Sequence, residues 1–190
     1  MRKIYRVGLV SVILVSGCAQ LGQMPRVKPL AQVKPLAACD TLTGVVIPVA
    51  SIGLPTGGAV VSASKTVTDT DTAGIARSYC MVTGVIKSVD PTASPIRFQV
   101  NLPDSWNQRM LQFGGGGTNG SVVTGLTAFS GAPVEVPTPL ARGYITLGSD
   151  SGHDSAGTPP FDTSFALKQE ELMNFAQWQV KKKVDDAKWL

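Results

Sequence analysis

Along residues 96–102 the chain alternates apolar and polar without a break, with Ile96, Phe98, Val100 and Leu102 on one face and Arg97, Gln99 and Asn101 on the other. A two-residue period predicts a strand buried on one face and wet on the other, and Pro103-Asp104-Ser105 closes it as a turn. Residues 79–86 form a second candidate strand. Residues 109–113 make a short apolar strand ended by four glycines, and residues 144–148 another, ended by Ser149-Asp150. Residues 44–77 scatter Gly, Pro, Ser and Thr among β-branched positions and predict short strands and loops. The period then changes. Leu172, Ala176, Val180, Val184 and Ala187 fall on one helical face. Glu170 and Glu171 sit early and Lys188 late, which suits the helix dipole; Pro159 and Pro160 mark the loop before. Strand, glycine loop, strand, loop, helix is an α/β progression. It stops on a helix that would lead into another strand, so the chain reads as unfinished.

The amino terminus changes this picture. Arg2, Lys3 and Arg6 precede an apolar run over residues 7–15. The run is too short to span a bilayer and reads as the hydrophobic part of a signal peptide. Val15-Ser16-Gly17-Cys18 resembles the lipobox of bacterial lipoproteins, which implies cleavage after residue 17 and lipidation of Cys18; the alternative is an ordinary signal peptide with a chance cysteine. Ala19, not Asp, follows, so the expected location is the outer membrane, facing the periplasm or the cell surface. Residues 18–38, with Pro25, Pro29 and Pro35 and Lys-Pro-Leu at 28–30 and again at 34–36, read as a tether. The folded domain is expected over residues 39–190.

Composition adds limits. At 43% hydrophobic and 16% charged residues the chain is suited to a packed domain. The formal net charge of +4 comes mostly from the three basic residues of the leader, so it carries no nucleic-acid signal. Lys181-Lys182-Lys183 reads as a solvated helix face. After Cys18, two cysteines remain, Cys39 and Cys80. In an oxidising compartment such a pair usually bonds; a metal site is the weaker rival, with a lone histidine to complete it.

Gly114-Gly115-Gly116-Gly117-Thr118-Asn119-Gly120 carries the most chemistry. A flexible loop is one reading. A dinucleotide site is another, since Gly115, Gly117 and Gly120 spell G-x-G-x-x-G. That motif should open into a helix, but Gly125, Gly131 and Pro133 follow. The third reading is an oxyanion loop of the α/β-hydrolase kind, in which glycine amides after a central strand point into open space. Asp150-Ser151-Gly152-His153-Asp154 follows the next strand, and His153 is the only histidine. It reads as a structural hydrogen-bonder; Asp150, His153 and Asp154 are few ligands for a metal. No G-x-S-x-G elbow is present.

These stretches together resemble the tannase and feruloyl esterase family over residues 39–190. Cys39 and Tyr79-Cys80-Met81-Val82-Thr83-Gly84 resemble its paired cysteines. The strand at 96–102 with Pro103-Asp104-Ser105-Trp106-Asn107 resembles its strand and turn. The glycine loop, Gly143-Tyr144 through His153, and the helix from Asn174-Phe175-Ala176 complete the match. Gln108 departs from a common glycine, and the lysine run from a frequent histidine. The resemblance implies an incomplete α/β-hydrolase fold, ending just before the nucleophile elbow, and a Ser-His-Asp mechanism whose triad and calcium-binding lid lie outside these residues. Cofactors and metals are therefore not expected in this chain. Gly117 N–H becomes an oxyanion donor with Gly116 beside it, Thr118 and Asn119 pocket walls, and His153 and Asp150 supports behind them. The implied partners are a small aromatic ester and, through Cys18, a membrane, with no nucleic acid. The chain alone is expected to be inactive and poorly stable, with an open sheet edge. The competing reading is a non-catalytic envelope lipoprotein or remnant that binds a small ligand.

Overall fold

A computed structural model describes residues 30–129, 131–159 and 161–190. The leader and Cys18 lie outside them. Six strands form one mixed sheet: β1 Val46–Ile47, β2 Ala59–Thr70, β3 Ala76–Ile86, β4 Ile96–Pro103, β5 Met110–Gln112 and β6 Ile145–Ser149, in the order β1-β2-β3-β4-β6-β5. All neighbours pair antiparallel except β5 and β6, which run parallel. The chain thus leaves β4, passes outward to β5, and returns to lay β6 between them.

The apolar centre comes from Ile47, Val61, Val82, Ile86, Ile96, Phe98, Val100 and Leu147. Gly84 is required there, because a Cβ would strike Val60 O and the Phe98 ring. Cys39, in a 3-10 turn over Cys39–Leu42, is disulfide-bonded to Cys80 of β3, with Cα atoms 5.5 Å apart.

Three expectations change. Residues 59–70 form one long strand, because β2 follows β3 continuously from Ala59↔Ile86 to Thr70↔Ala76, with an irregularity between Val61 and Ala63. The polar face of β4 is wet only at Arg97. Gln99 and Asn101 are buried beneath residues 121–126, and Asn101 Nδ2 donates to Thr124 O at 2.7 Å and Thr146 Oγ1 at 2.9 Å. Alternation reports a strand; what covers each face is decided by a loop distant in sequence.

The helix departs most. α1 (Gln169–Met173) runs through a π turn (Asn174–Trp178) into α2 (Gln179–Trp189). Leu172, Ala176 and Val180 are exposed, while Val184 is half-buried against the core and Ala187 is buried. The buried face is polar: Glu170, Glu171, Asn174, Lys182, Lys183 and Asp186. Two of the three lysines read as solvated are therefore inside. The two glutamates explain the choice of face at one end. Glu170 accepts from Val89 N and Asp90 N, at 3.0 and 2.7 Å, and Glu171 from Ser94 N at 2.8 Å, so the helix start holds the β3–β4 connection.

Residues 30–38, the end of the segment read as a tether, lie against the turn after β4. Val33 and Trp106 exchange backbone bonds at 2.8 and 2.9 Å, and Gln108 Nε2 donates to Ala31 O at 2.7 Å. Gln108 has φ 62°, a left-handed conformation that a glycine adopts freely. Among the described residues no helix is long and apolar enough to cross a membrane.

Candidate active site

Parallel β5 and β6 end side by side, with Gln112 opposite Leu147. The loops that follow share one end of the sheet, where α/β proteins place their sites. They are tied together: Ser155 N donates to Gly120 O at 3.0 Å, and Asn119 Nδ2 donates to Ser149 O at 3.2 Å and Ser151 Oγ at 2.8 Å.

Within the glycine loop the residues divide by what surrounds them. A Cβ at Gly115 would run into the Asn119 side chain, and one at Gly120 into Ser155, so packing demands these two glycines. Gly114, Gly116 and Gly117 face open space. Asn119 N donates to Gly116 O at 3.0 Å and closes a turn over 116–119, in which Gly117 has φ 56° and Asn119 φ 48°. The exposed Gly116 and Gly117 backbone therefore sits on a turn anchored from behind. Thr118 and Asn119 are both half-buried, and the Asn119 amide is engaged within the protein.

Asp150 is buried, accepting from Arg97 Nε at 2.6 Å, Arg97 N at 3.1 Å and Gly152 N at 2.9 Å. Burial lifts its carboxyl above the ordinary value, with the Arg97 guanidinium and the Gly152 amide pulling the other way. These bonds brace the 150–152 turn against β4. His153 is 3% exposed, stacked on Phe165 with ring centroids 3.8 Å apart and edge-on to Phe175. Neither of its ring nitrogens has a hydrogen-bond partner among the described residues. It borders a polar cavity of about 190 Å³ that also touches Ser94, Ser155, Asp162 and Glu171. The structure thus brings Gly116, Gly117, Thr118, Asn119, Asp150 and His153 to one end of the sheet, with His153 packed among aromatic rings. Among the described residues no three His, Cys, Asp or Glu side chains are arranged to hold a metal ion.

Sequence reading missed the buried polar side chains beneath these loops. Lys183 Nζ donates to Ser149 Oγ at 3.1 Å and Gln179 Oε1 at 3.0 Å, and burial pushes its ammonium down to about 8, opposed by Asp150. Lys182 Nζ donates to Asn174 Oδ1 at 2.9 Å and lies 3.6 Å from Glu170. Asp186 is fully buried, its oxygens meet no donor among the described residues, and burial pushes its carboxyl up to about 7. No spacing in the chain announces these roles, since a lysine run on a helix is ordinarily solvated.

Residues 80–190 match the family model described as tannase and feruloyl esterase. An uncharacterized esterase of Agrobacterium fabrum is 43% identical over 152 residues, covering 80% of this chain and 27% of that protein. The mono(2-hydroxyethyl) terephthalate hydrolase of Piscinibacter sakaiensis is 33% identical over 81 residues, 41% of this chain and 13% of that one. The crystal structure of an esterase from Aspergillus oryzae aligns with a TM-score of 0.45 at 21% identity, over 72% of this chain and 27% of that chain. The chain therefore spans about a quarter of the length of the first of these relatives.

Proposed function

As the chain belongs to the tannase and feruloyl esterase family, we propose that it forms the N-terminal part of a carboxylic ester hydrolase and supplies that enzyme's oxyanion loop. The observation that carries this reading is the pair Gly116 and Gly117, uncovered at the end of parallel β5 on a turn pinned by Asn119. In ester cleavage a serine hydroxyl adds to the carbonyl carbon, and the carbonyl oxygen becomes an anion. A backbone N–H already aimed at that oxygen stabilises the charge without reorganising. Gly117 N–H is that donor, with Gly116 beside it. The serine, its histidine and its aspartate belong to sequence outside these residues, so the 190-residue chain alone turns over no ester. Thr118 lines the acyl pocket; Asn119 contributes by holding the turn. Phe113 stacks on Phe129 with centroids 5.5 Å apart at the loop's start, which suits an aromatic acid.

We also propose that the protein is exported and anchored through acylated Cys18, at the outer membrane. The Cys39–Cys80 bond supports an oxidising compartment. A mature N-terminus without acyl chains by mass spectrometry would overturn the anchor.

The test of the hydrolase is to read the gene past codon 190 and assay its product on aromatic esters. A frame encoding a Cys-Ser-x-Gly-Gly elbow, with Gly117→Pro lowering kcat by about 100-fold, supports the reading. A folded Gly117→Pro enzyme of unchanged kcat removes the role from Gly117. A frame without the elbow favours the non-catalytic envelope lipoprotein.

A further inference from the structure

Lys183 is 1% exposed, yet its ammonium has no carboxylate within hydrogen-bonding distance. All three of its N–H bonds go to neutral oxygens. Two are Ser149 Oγ at 3.1 Å and Gln179 Oε1 at 3.0 Å. The third is Gln112 Oε1 at 3.2 Å, with the Gln112 amide oriented so that its nitrogen also donates to Val180 O at 3.2 Å. Proton bookkeeping closes at Ser149, whose hydroxyl donates to Gln179 Oε1 and accepts from Lys183 and from Ser151 N. A buried cation without a counter-ion is unfavourable, and an apolar side chain of its volume would pack the same space at less cost.

Its partners are the two places from which the glycine loop hangs. Gln112 is the last residue of β5, two residues before the glycines begin. Ser149 is the last residue of β6, and its carbonyl receives Asn119 Nδ2 where the loop returns. A single ammonium on α2 thus holds both the take-off and the return of residues 114–120.

We propose that Lys183 is a positioning residue that fixes the glycine loop and, through it, the direction of the Gly116 and Gly117 N–H groups. Its bearing on catalysis rests on the oxyanion reading above; the coupling between ammonium and loop does not. Loss of a proton leaves two N–H bonds and a lone pair among three oxygens, so the Ser149 hydroxyl must leave Gln179 to meet the lone pair or one contact is lost, and either way the loop's seat changes. The charged groups around Lys183 are Asp150 at the end of β6, paired with Arg97 of β4, and Lys182 and Asp186 on its own helix; β5 presents none. Burial brings the proton loss to about pH 8, against the pull of Asp150.

The experiment is a nitrogen-15 NMR titration, from pH 6 to 9.5, of the full gene product labelled at glycine. It follows the Gly116 and Gly117 amides, with Gly74 in the β2–β3 turn as reference. Both loop amides are expected to shift in one step near pH 8 while Gly74 stays flat, and Lys183→Met is expected to abolish the step. A step that survives in Lys183→Met, or no step in the wild type, overturns the proposal. Should Lys183→Met fail to fold, Gln179→Ala decides. Removing one acceptor from the charged form is expected to move the step to lower pH, and an unmoved step refutes the coupling. The readout needs no turnover. A titrating loop together with an unchanged kcat in Gly117→Pro leaves the positioning role in place and removes only the oxyanion reading.

Discussion

The meander of β2, β3 and β4 and the underside of the 169–189 helix are both buried, but by opposite chemistry. The meander is closed by Ile47, Val61, Val82, Phe98 and Val100, whose attraction is non-directional and blind to pH. The helix is seated by Glu170, Glu171, Asn174, Lys182, Lys183 and Asp186, whose contribution depends on each partner being in place. The first arrangement yields stability; the second yields position. It is the second that lies under the loops of the candidate site. A region that must hold backbone amides in one direction gains more from bonds of fixed geometry than from oily contact.

Several substitutions break or sharpen this contrast. Phe98→Ala removes the largest ring of the apolar region and is expected to cost about 3–5 kcal/mol by urea denaturation, equally at pH 5 and pH 8. A cost that varies with pH would show the two regions to be entangled. Replacing Cys39 and Cys80 together by Ser frees a loop of 41 residues. By chain entropy this lowers stability by about 4 kcal/mol, again without pH dependence.

The helix side should behave differently. Asp186 has a folded-state pKa raised to about 7 from an ordinary 3.8. Its contribution is therefore fully present below pH 3.8 and lost as pH rises toward 7, at most about 4 kcal/mol. Lys183, lowered to about 8 from 10.5, acts in the opposite sense. The folded state holds its proton less tightly than the unfolded chain, so stability recovers between pH 8 and 10.5. A minimum in melting temperature between pH 7 and 8 is expected. Asp186→Asn should remove its acidic flank, stabilising the protein at pH 8 and leaving it unchanged near pH 3.5; equal melting shifts at both pH values would refute the assignment.

The smallest effect is expected at Glu171. Burial favours its neutral form, but bonds from Ser94 N and Lys168 outweigh this, and its carboxyl sits below the ordinary value. Its stabilisation is present above pH 4.5 and lost as pH falls through the lowered value. Glu171→Gln should cost about 1–2 kcal/mol at pH 7, and the cost should shrink as pH falls below 4.5, as measured by denaturant midpoint.

Much of the architecture was legible along the chain. The strand at 96–102, the short strand before the glycines, the disulfide partners and the position of the glycine loop all lie where sequence reading puts them. Each rests on a local signal: a two-residue period, a glycine run, a pair of cysteines. The helix was legible in extent but not in orientation. Leu172, Ala176 and Val180 spell a plausible inner face and point outward, because loop amides at Val89, Asp90 and Ser94 draw Glu170 and Glu171 inward.

What the residue order settles without help is where backbone conformation changes. That depends on side chains within a few positions: proline and glycine at turns, alternation in strands, a cysteine pair available to bond. What only the folded molecule settles is which side of each element is inside. Gln99 and Asn101 are polar and buried because residues 121–126 cross above them and Thr124 O accepts from both. Lys183 is charged and buried because Gln112 and Ser149, on two other strands, offer oxygens at hydrogen-bond distance. Solvation is a property of what closes over a residue. The atoms that close over these come from segments more than twenty positions away, where no local pattern can register them.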